Sequence, residues 1–241
     1  MIEIKDVSKD FAGKKRAIDS LNLTIPDGKI VGFLGPNGAG KSTTIKMMTG
    51  ILPIDDGSIT LNGHDIEKQP LQAKKIFGYV PDQPDMFLRL RGIEYLNFIG
   101  DIFDIPVDIR KEQIETLTET FNIHDALGDY IQTYSHGMRQ KIIVTGVLLH
   151  DPDIWILDEP LTGLDPKSAY MLKEMMREHA NKGNTVFFSS HGLEVVEQLC
   201  DEVAIIHNGK LLFYGTLDEM RKTYQSDQSL EHVFLELTND E

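Results

Sequence analysis

Cysteine and long apolar stretches are both scarce in this sequence. Cys200 is the single cysteine among 241 residues, which excludes an internal disulfide and is typical of a reducing compartment. The longest apolar run, IIVTGVLL at 142–149, is far shorter than the roughly 20 apolar residues that a membrane-spanning helix needs. We therefore expect the chain to act at a membrane only through a partner.

Basic residues are few relative to acidic ones. The chain carries 24 Lys and Arg against 38 Asp and Glu, a formal net charge of −14. Proteins that bind along nucleic acid neutralise its phosphates with clustered Lys and Arg. We therefore expect no nucleic acid among the partners.

A glycine-rich stretch, GPNGAGKSTT, lies at 35–44. It matches the phosphate-loop pattern G-x-x-x-x-G-K-[ST] at every defined position. The glycines let backbone N–H groups approach phosphate oxygens closely. Lys41 supplies positive charge to the β- and γ-phosphates, and the Ser42 hydroxyl can bind Mg²⁺. The expected nucleotide-binding residues are Gly35, Pro36, Asn37, Gly38, Ala39, Gly40, Lys41, Ser42 and Thr43.

The residues around this loop favour the same function. KIVGFL at 29–34 predicts a short buried strand, and KSTTIKMMTG at 41–50 predicts a helix that ends at Gly50. The phosphates would then lie at a helix N-terminus, where free N–H groups and the helix dipole favour anions.

A second motif, IWILDEP at 154–160, places two carboxylates after an apolar strand. Open α/β sheets bind ligands at such strand ends. We expect Asp158 to face Mg²⁺, as the acidic partner of Ser42. Because adjacent strand residues point to opposite sides, Glu159 would be free to polarise an attacking water.

The remaining chain predicts one α/β domain. Short apolar strands alternate with helices, which is typical of a largely parallel sheet. A helix is predicted over 168–183, a hairpin turn at Asn208-Gly209, and a mainly helical insertion between about 85 and 135. Cys200 is expected to be a packed, inert thiol on a helix.

Three further segments occur in the order known from one family. YSHGMRQK at 134–141 is similar to its signature motif, usually L-S-G-G-Q; LTGLDP at 161–166 resembles its D-loop; and SSH at 189–191 resembles its switch histidine. With the two motifs above, the chain resembles the ATP-binding subunit of an ABC (ATP-binding cassette) transporter. The resemblance runs nearly end to end.

This resemblance implies a fold and an extent. The fold is that of a P-loop NTPase of the ABC type, α/β, with a mixed or largely parallel core sheet, an N-terminal antiparallel β region and an inserted helical subdomain. A single domain would cover 1–241, with the helical subdomain at about 85–150.

The resemblance also implies roles for single residues. Phe11 would lie under the adenine ring, and His191 would bond the γ-phosphate and act with Glu159 in catalysis; the alternative for His191 is an ordinary histidine at a strand end. The D-loop residues would be Leu164 and Asp165. The signature residues expected to contact the ATP of a partner chain are Ser135, His136, Gly137 and Met138. Tyr134, His136 and Met138 depart from the usual signature letters.

The family's Q-loop, which contacts Mg²⁺ and senses the membrane partner, is altered here. The family usually has glutamine directly after a proline that ends a strand. In this chain Asp82 follows Pro81, and Gln83 comes one residue later. The spacing favours Asp82 over Gln83 for this position, and an ordinary surface loop is the third possibility.

The implied ligands are ATP and Mg²⁺, and the implied partners are a second, identical or different, cassette bound head to tail and a separately encoded transmembrane permease. The chain would be cytoplasmic, held at the inner face of the membrane by that permease.

The tail SLEHVFLELT at 229–238 resembles the endings of exporter ATPases, so we expect export. The alternative is a soluble ABC-type ATPase of translation or DNA maintenance. A GTPase lacks support because the N-K-x-D motif is absent, and a small-molecule kinase has no use for a signature motif and a D-loop.

Overall fold

The computed structural model of the protein describes residues 1–11, 16–224 and 230–238. Ser229, the first residue of the exporter-like tail, lies outside the described residues. The strands are β1 (Ile2–Lys9), β2 (Ile18–Ile25), β3 (Ile30–Leu34), β4 (Asp56–Leu61), β5 (His64–Asp65), β6 (Phe77–Val80), β7 (Ile154–Asp158), β8 (Thr185–Ser190), β9 (Glu202–His207) and β10 (Lys210–Gly215). The α-helices are α1 (Lys41–Met48), α2 (Pro70–Ile76), α3 (Gly92–Ile102), α4 (Val107–Thr120), α5 (His136–Leu149), α6 (Pro166–Asn181), α7 (Leu193–Leu199), α8 (Leu217–Thr223) and α9 (Leu230–Thr238).

A six-stranded sheet forms the centre, in the order β10-β9-β3-β8-β7-β6. Its strands pair in parallel, except β10, which is antiparallel to β9. Strands β3, β7 and β8 are buried at every residue, as expected for parallel strands covered on both faces. The predicted hairpin is confirmed: Asn208 and Gly209 link β9 and β10 with φ angles of 48° and 77°.

A four-stranded antiparallel sheet, in the order β2-β1-β4-β5, covers one face of the central sheet. Residues of the two sheets and of α1 share one hydrophobic cluster, which includes Ile4, Phe33, Ile45 and Phe187. The opposite face packs against the helices in a second cluster, with Leu96, Ile142 and Leu172 among its buried residues. The layers are therefore antiparallel sheet, central sheet and helices, the predicted P-loop fold with its N-terminal antiparallel region.

Helices α3, α4 and α5 follow one another between β6 and β7 and pack together. Phe121 and Ile114 are buried in this packing, with 0% and 5% of their surfaces exposed. The helices lie inside the segment for which a helical subdomain at 85–150 is proposed.

Cys200 departs from its expected place, because it follows α7 as the C-terminal capping residue and does not lie within the helix. Burial raises the pKa of its thiol, which favours the unreactive form. No helix among the described residues has both the length and the apolar character required to cross a membrane.

Candidate functional site

The glycine-rich loop connects β3, which ends at Leu34, to α1, which begins at Lys41. Gly38 and Gly40 have φ angles of 82° and 113°, in the region that favours glycine. A Cβ atom at Gly35 would lie 2.4 Å from the carbonyl oxygen of Ile206, so a side chain has no room there. No side chain caps α1 at Gly40, and the first N–H groups of the helix are therefore available to an anion.

Lys41 is held inside this loop. Its Nζ atom donates a hydrogen bond of 2.6 Å to the carbonyl oxygen of Gly35, and only 8% of the residue is exposed. Burial lowers the pKa of the ammonium, and the carboxylates of Glu159 and Asp158 oppose that shift. The loop thus presents a desolvated cation opposite two carboxylates.

A cavity of about 380 Å³ opens between the loop and the ends of the central strands. Its walls come from the phosphate loop, the two carboxylates, the switch histidine, the Q-loop candidate Asp82, and single residues of β2's N-terminal flank and of the D-loop segment. The lining residues are Ala17, Pro36, Asn37, Gly38, Gly40, Lys41, Ser42, Thr43, Asp82, Asp158, Glu159, Thr162 and His191. Predicted site residues that do not line it are Phe11, Gly35, Ala39, Gln83, Ser135, His136, Gly137, Met138, Leu164 and Asp165.

Asp158 ends β7 and pairs in register with Ser189 of β8. The Ser189 hydroxyl donates a hydrogen bond of 2.6 Å to Asp158 Oδ1 and accepts one of 3.0 Å from the backbone N–H of Glu159. Sequence reasoning missed this role of Ser189, because it depends on the alignment of two strands that lie far apart in the chain.

The predicted reason for the different directions of Asp158 and Glu159 is wrong. The strand ends at Asp158, so strand alternation does not apply to Glu159. Glu159 has a φ of 50°, a left-handed conformation that is rare outside glycine and is concentrated at functional sites. This turn brings both carboxylates to the same cavity.

His191 contacts Glu159 directly. Its Nδ1 atom lies 2.8 Å from Glu159 Oε2, and the two side chains are 73% and 16% exposed. The histidine follows β8 directly, so the neighbouring carboxyl ends of β7 and β8 place the pair at the mouth of the cavity.

The site fits Mg-ATP in its donors and its charge. Uncapped N–H groups and Lys41 suit a polyphosphate, and Ser42 and Asp158 supply the oxygen ligands that Mg²⁺ prefers. Magnesium keeps several water and phosphate ligands, so two protein ligands suffice.

Phe11 does not line the cavity. The residue is 38% exposed, and the Nζ atom of Lys9 lies over its ring at 5.9 Å from the centroid. A partly exposed ring suits stacking on a base.

The structure separates the two Q-loop candidates. Asp82 lines the main cavity with Lys41 and Glu159, whereas Gln83 lines only a smaller neighbouring cavity with Ser42 and Asp158. Both side chains are exposed. Asp82 lines this smaller cavity as well, and its assignment to the Q-loop position stays a prediction.

The signature segment begins α5. Ser135 is the N-terminal cap of this helix, and its Oγ accepts a 3.3 Å hydrogen bond from the backbone N–H of Met138. Tyr134, which replaces the usual leucine, is 3% exposed and donates a 2.6 Å hydrogen bond to the carbonyl oxygen of Ala126. The tyrosine is therefore an internal anchor of the helical region.

The signature segment packs on the D-loop of the same chain. A Cβ atom at Gly163 would lie 2.5 Å from His136 Cδ2, and one at Gly137 would lie 2.5 Å from the carbonyl oxygen of Gly163. His136 therefore occupies space left by Gly163. Gly137 has a structural reason to be glycine besides its predicted phosphate contact.

Two side chains that sequence reasoning did not single out tie α5 to this loop. Lys141 forms a 2.6 Å ion pair with Asp165, and Gln140 donates a 3.2 Å hydrogen bond to the carbonyl oxygen of Pro160. Asp165 also caps α6 through the backbone N–H of Ser168. The bond from Lys141 holds the pKa of Asp165 well below its usual range, so this carboxylate stays ionised.

Comparison with known proteins agrees with the fold and the site. Residues 18–162 match the family model described as ABC transporter. The chain is 35% identical to the ABC transporter ATP-binding protein NatA of Bacillus subtilis, over 98% of this chain and 97% of that protein. It is 34% identical to the linearmycin resistance ATP-binding protein LnrL of the same organism, over 91% of this chain and 70% of that protein.

A solved structure of an ATP-binding subunit of an ABC transporter superposes with a TM-score of 0.94 at 31% identity, covering 99% of this chain and 100% of that one. The phosphate loop, the paired carboxylates and the switch histidine thus occur in a fold that matches over its whole length. The chain belongs to the ABC transporter family, as one of its ATP-binding proteins.

Proposed function

We propose that the chain hydrolyses Mg-ATP to power a membrane exporter, while bound head to tail to a second cassette. The observation that carries this proposal is the composition of the main cavity. Lys41, Asp158, Glu159 and His191 line it, and no signature residue of the described chain does. The site therefore holds the groups for binding and hydrolysis, but its own signature segment does not cover it.

Hydrolysis would use Glu159 as the base. Glu159 takes a proton from the water that attacks the γ-phosphate, and the leaving group is ADP. His191 orients the carboxylate through its 2.8 Å contact and faces the phosphate with its other nitrogen. Ser42 and Asp158 would hold Mg²⁺, which would supply positive charge against the phosphates.

The signature segment supports the head-to-tail dimer. Ser135 and Gly137 lie at the N-terminus of α5, and Ser135 is exposed. A second chain would place them over the open side of the nucleotide. ATP would then bridge both chains, and loss of phosphate would release them.

An exposed aromatic group supports docking to a permease. Phe87 and Phe98 are 38% and 42% exposed, and their ring centroids lie 5.8 Å apart. Phe87 follows the Q-loop candidates closely in the chain. A cytoplasmic helix of a permease would cover these rings, and Asp82 in the nearby Q-loop would sense that helix. This docking would hold the chain at the inner face of the membrane.

Export is supported by one relative and by the tail. LnrL carries linearmycin resistance in its name, and removal of a compound from the cell is one route to resistance. The cargo would be selected by the membrane helices of the permease.

The dimer is tested with Glu159→Gln, which removes the base and preserves the shape. We expect ATP binding to persist, hydrolysis to fall by about 10²-fold or more, and light scattering to show a dimer only with ATP. Glu194→Gln, an exposed glutamate of α7, is the control. An ATP-bound variant that stays monomeric contradicts the dimer.

A second variant separates dimerisation from binding. Ser135→Asp keeps a residue that can cap α5, but it points a negative charge at the partner's γ-phosphate. In the Glu159→Gln background it should abolish the dimer and leave the ATP affinity of the monomer, measured at protein concentrations too low for dimerisation, unchanged.

The permease is tested by detergent extraction of the tagged protein from its own cells, followed by mass spectrometry. We expect a multi-spanning protein that is lost when Phe87→Ser and Phe98→Ser are combined. Recovery of ribosomes or DNA-maintenance proteins without a permease would instead support the soluble ATPase.

A further inference from the structure

We propose that Asp55 is a positioning residue for Phe11, which sets the ring that receives the adenine base. The proposal rests on the proposed function, in which Phe11 stacks on ATP. Asp55 lies between α1 and β4, outside every motif that the sequence displays.

The Asp55 carboxylate contacts both residues that precede Phe11. Oδ1 accepts a 2.7 Å hydrogen bond from Lys9 Nζ, and Oδ2 accepts a 2.8 Å hydrogen bond from the backbone N–H of Asp10. The backbone N–H of Asp55 in turn donates to the carbonyl oxygen of Ser8 at 3.2 Å. Three consecutive residues before the ring are thus tied to one aspartate.

The lysine in this arrangement reaches the ring itself. The side chain of Lys9 is 8% exposed, and its ammonium lies over the Phe11 ring, 5.9 Å from the centroid. The cation therefore lies over one face of the ring, and a base would stack on the opposite face. Without the carboxylate, a nearly buried ammonium would lack its counter-ion and would move toward water.

Arg16 and Ala17 also contact the residues before Phe11. The Arg16 guanidinium donates to both carboxylate oxygens of Asp10 at 3.1 and 3.3 Å, and the backbone N–H of Ala17 donates to the carbonyl oxygen of Lys9 at 2.8 Å. Ala17 lines the main cavity. Asp55 holds the backbone of Asp10 and Arg16 holds its side chain, so the residue directly before Phe11 is fixed by two contacts.

Asp55 does not line the main cavity, so we expect its replacement to affect binding of the base and not of the phosphates. We would measure the affinities for Mg-ATP and for Mg-triphosphate, which has the same kind of charge but no base. Asp55→Asn should weaken Mg-ATP binding by about 3- to 10-fold and leave Mg-triphosphate binding unchanged. Asp56→Asn, an exposed neighbour with the same charge change, should alter neither.

Lys9→Met provides a second variant, because it removes the cation and keeps an unbranched apolar side chain. Lys9→Met should weaken Mg-ATP binding about as much as Asp55→Asn does, and it should leave Mg-triphosphate binding unchanged. Phe11→Ala should lose at least as much as Asp55→Asn, and the double variant Phe11→Ala/Asp55→Asn should lose no more than Phe11→Ala.

These variants distinguish the contact between Phe11 and the base from the role of Asp55. If Phe11→Ala leaves ATP affinity unchanged, the base contact in the proposed function is wrong. If Phe11→Ala weakens ATP binding but Asp55→Asn does not, the role of Asp55 is overturned. An equal loss for ATP and triphosphate, or an additive loss in the double variant, would likewise overturn it, because Asp55 would then act on the fold or the phosphates.

Discussion

His191 Nδ1 lies 2.8 Å from Glu159 Oε2, so the two side chains that are expected to be catalytic contact each other directly. The donor in this hydrogen bond depends on the tautomer of the imidazole. The contact fixes the ring relative to the carboxylate, and Nε2 is the nitrogen left to meet a γ-phosphate oxygen in the proposed function.

Replacement of His191 by alanine tests this relationship. We expect the rate of phosphate release to fall by about 10- to 100-fold, because Glu159 loses its orienting contact. ATP affinity should change little, since Lys41 and the loop N–H groups remain. His232→Ala, in α9, should hydrolyse ATP at the parent rate. Parent-rate hydrolysis by His191→Ala would refute the role of the histidine.

The neighbouring Asp82 and Gln83 offer a matched pair of substitutions. Asp82 lines the main cavity and Gln83 does not. Asp82→Asn should therefore reduce ATP hydrolysis by about 10-fold or more, through the loss of a charge near Mg²⁺ and the attacking water. Gln83→Ala should have a small effect. The reverse order in a steady-state ATPase assay would assign the Q-loop position to Gln83.

The packing of His136 on Gly163 predicts a rescue. Gly163→Ala should lower the free energy of unfolding by about 1–3 kcal/mol, because its Cβ overlaps the imidazole and because φ is 78°. His136→Gly in the same background should recover the part that is due to overlap. Urea denaturation of the four proteins measures this. An equal cost of Gly163→Ala with and without His136 would contradict the packing argument.

His179 predicts a dependence of stability on pH. The ring is 2% exposed and stacks on Trp155 with 4.2 Å between centroids, and burial lowers its pKa in the folded protein. Below a pH of about 6.5, the ordinary pKa of histidine, the His179 imidazole is protonated in the unfolded chain more than in the folded chain. The free energy of unfolding should therefore fall as the pH drops below that value, by up to about 1.4 kcal/mol per pH unit.

His179→Leu should have a shallower pH dependence than the parent protein. Urea denaturation at several pH values between 7.5 and 5.5 compares the two. Equal slopes would show that His179 does not titrate differently on unfolding.

Local motifs explain why much of the site could be predicted. The phosphate loop combines glycines, a lysine and a serine over a few consecutive residues, and its chemistry is set by backbone conformation and by the helix that follows. The same holds for the hairpin at Asn208-Gly209, where two consecutive residues have positive φ angles. The switch histidine and the two carboxylates come at strand ends, which an apolar run reveals.

Contacts between distant segments could not be predicted in this way. Ser189 meets Asp158 because β7 and β8 pair in one register, and Asp55 meets Lys9 and Asp10 because β4 lies beside β1. Lys141 and Gln140 reach the D-loop only once α5 has packed. The left-handed backbone conformation of Glu159 could not be predicted either, since glutamate seldom adopts it.

The sequence by itself therefore determined the family and the nucleotide-loop motif, and it predicted the catalytic groups, because each depends on neighbours in the chain. Only the tertiary structure decided which side chains orient those groups, that Asp82 and not Gln83 faces the main cavity, and that the signature segment lies outside it. Those features depend on sheet register and helix packing, which are set by the burial of the whole core.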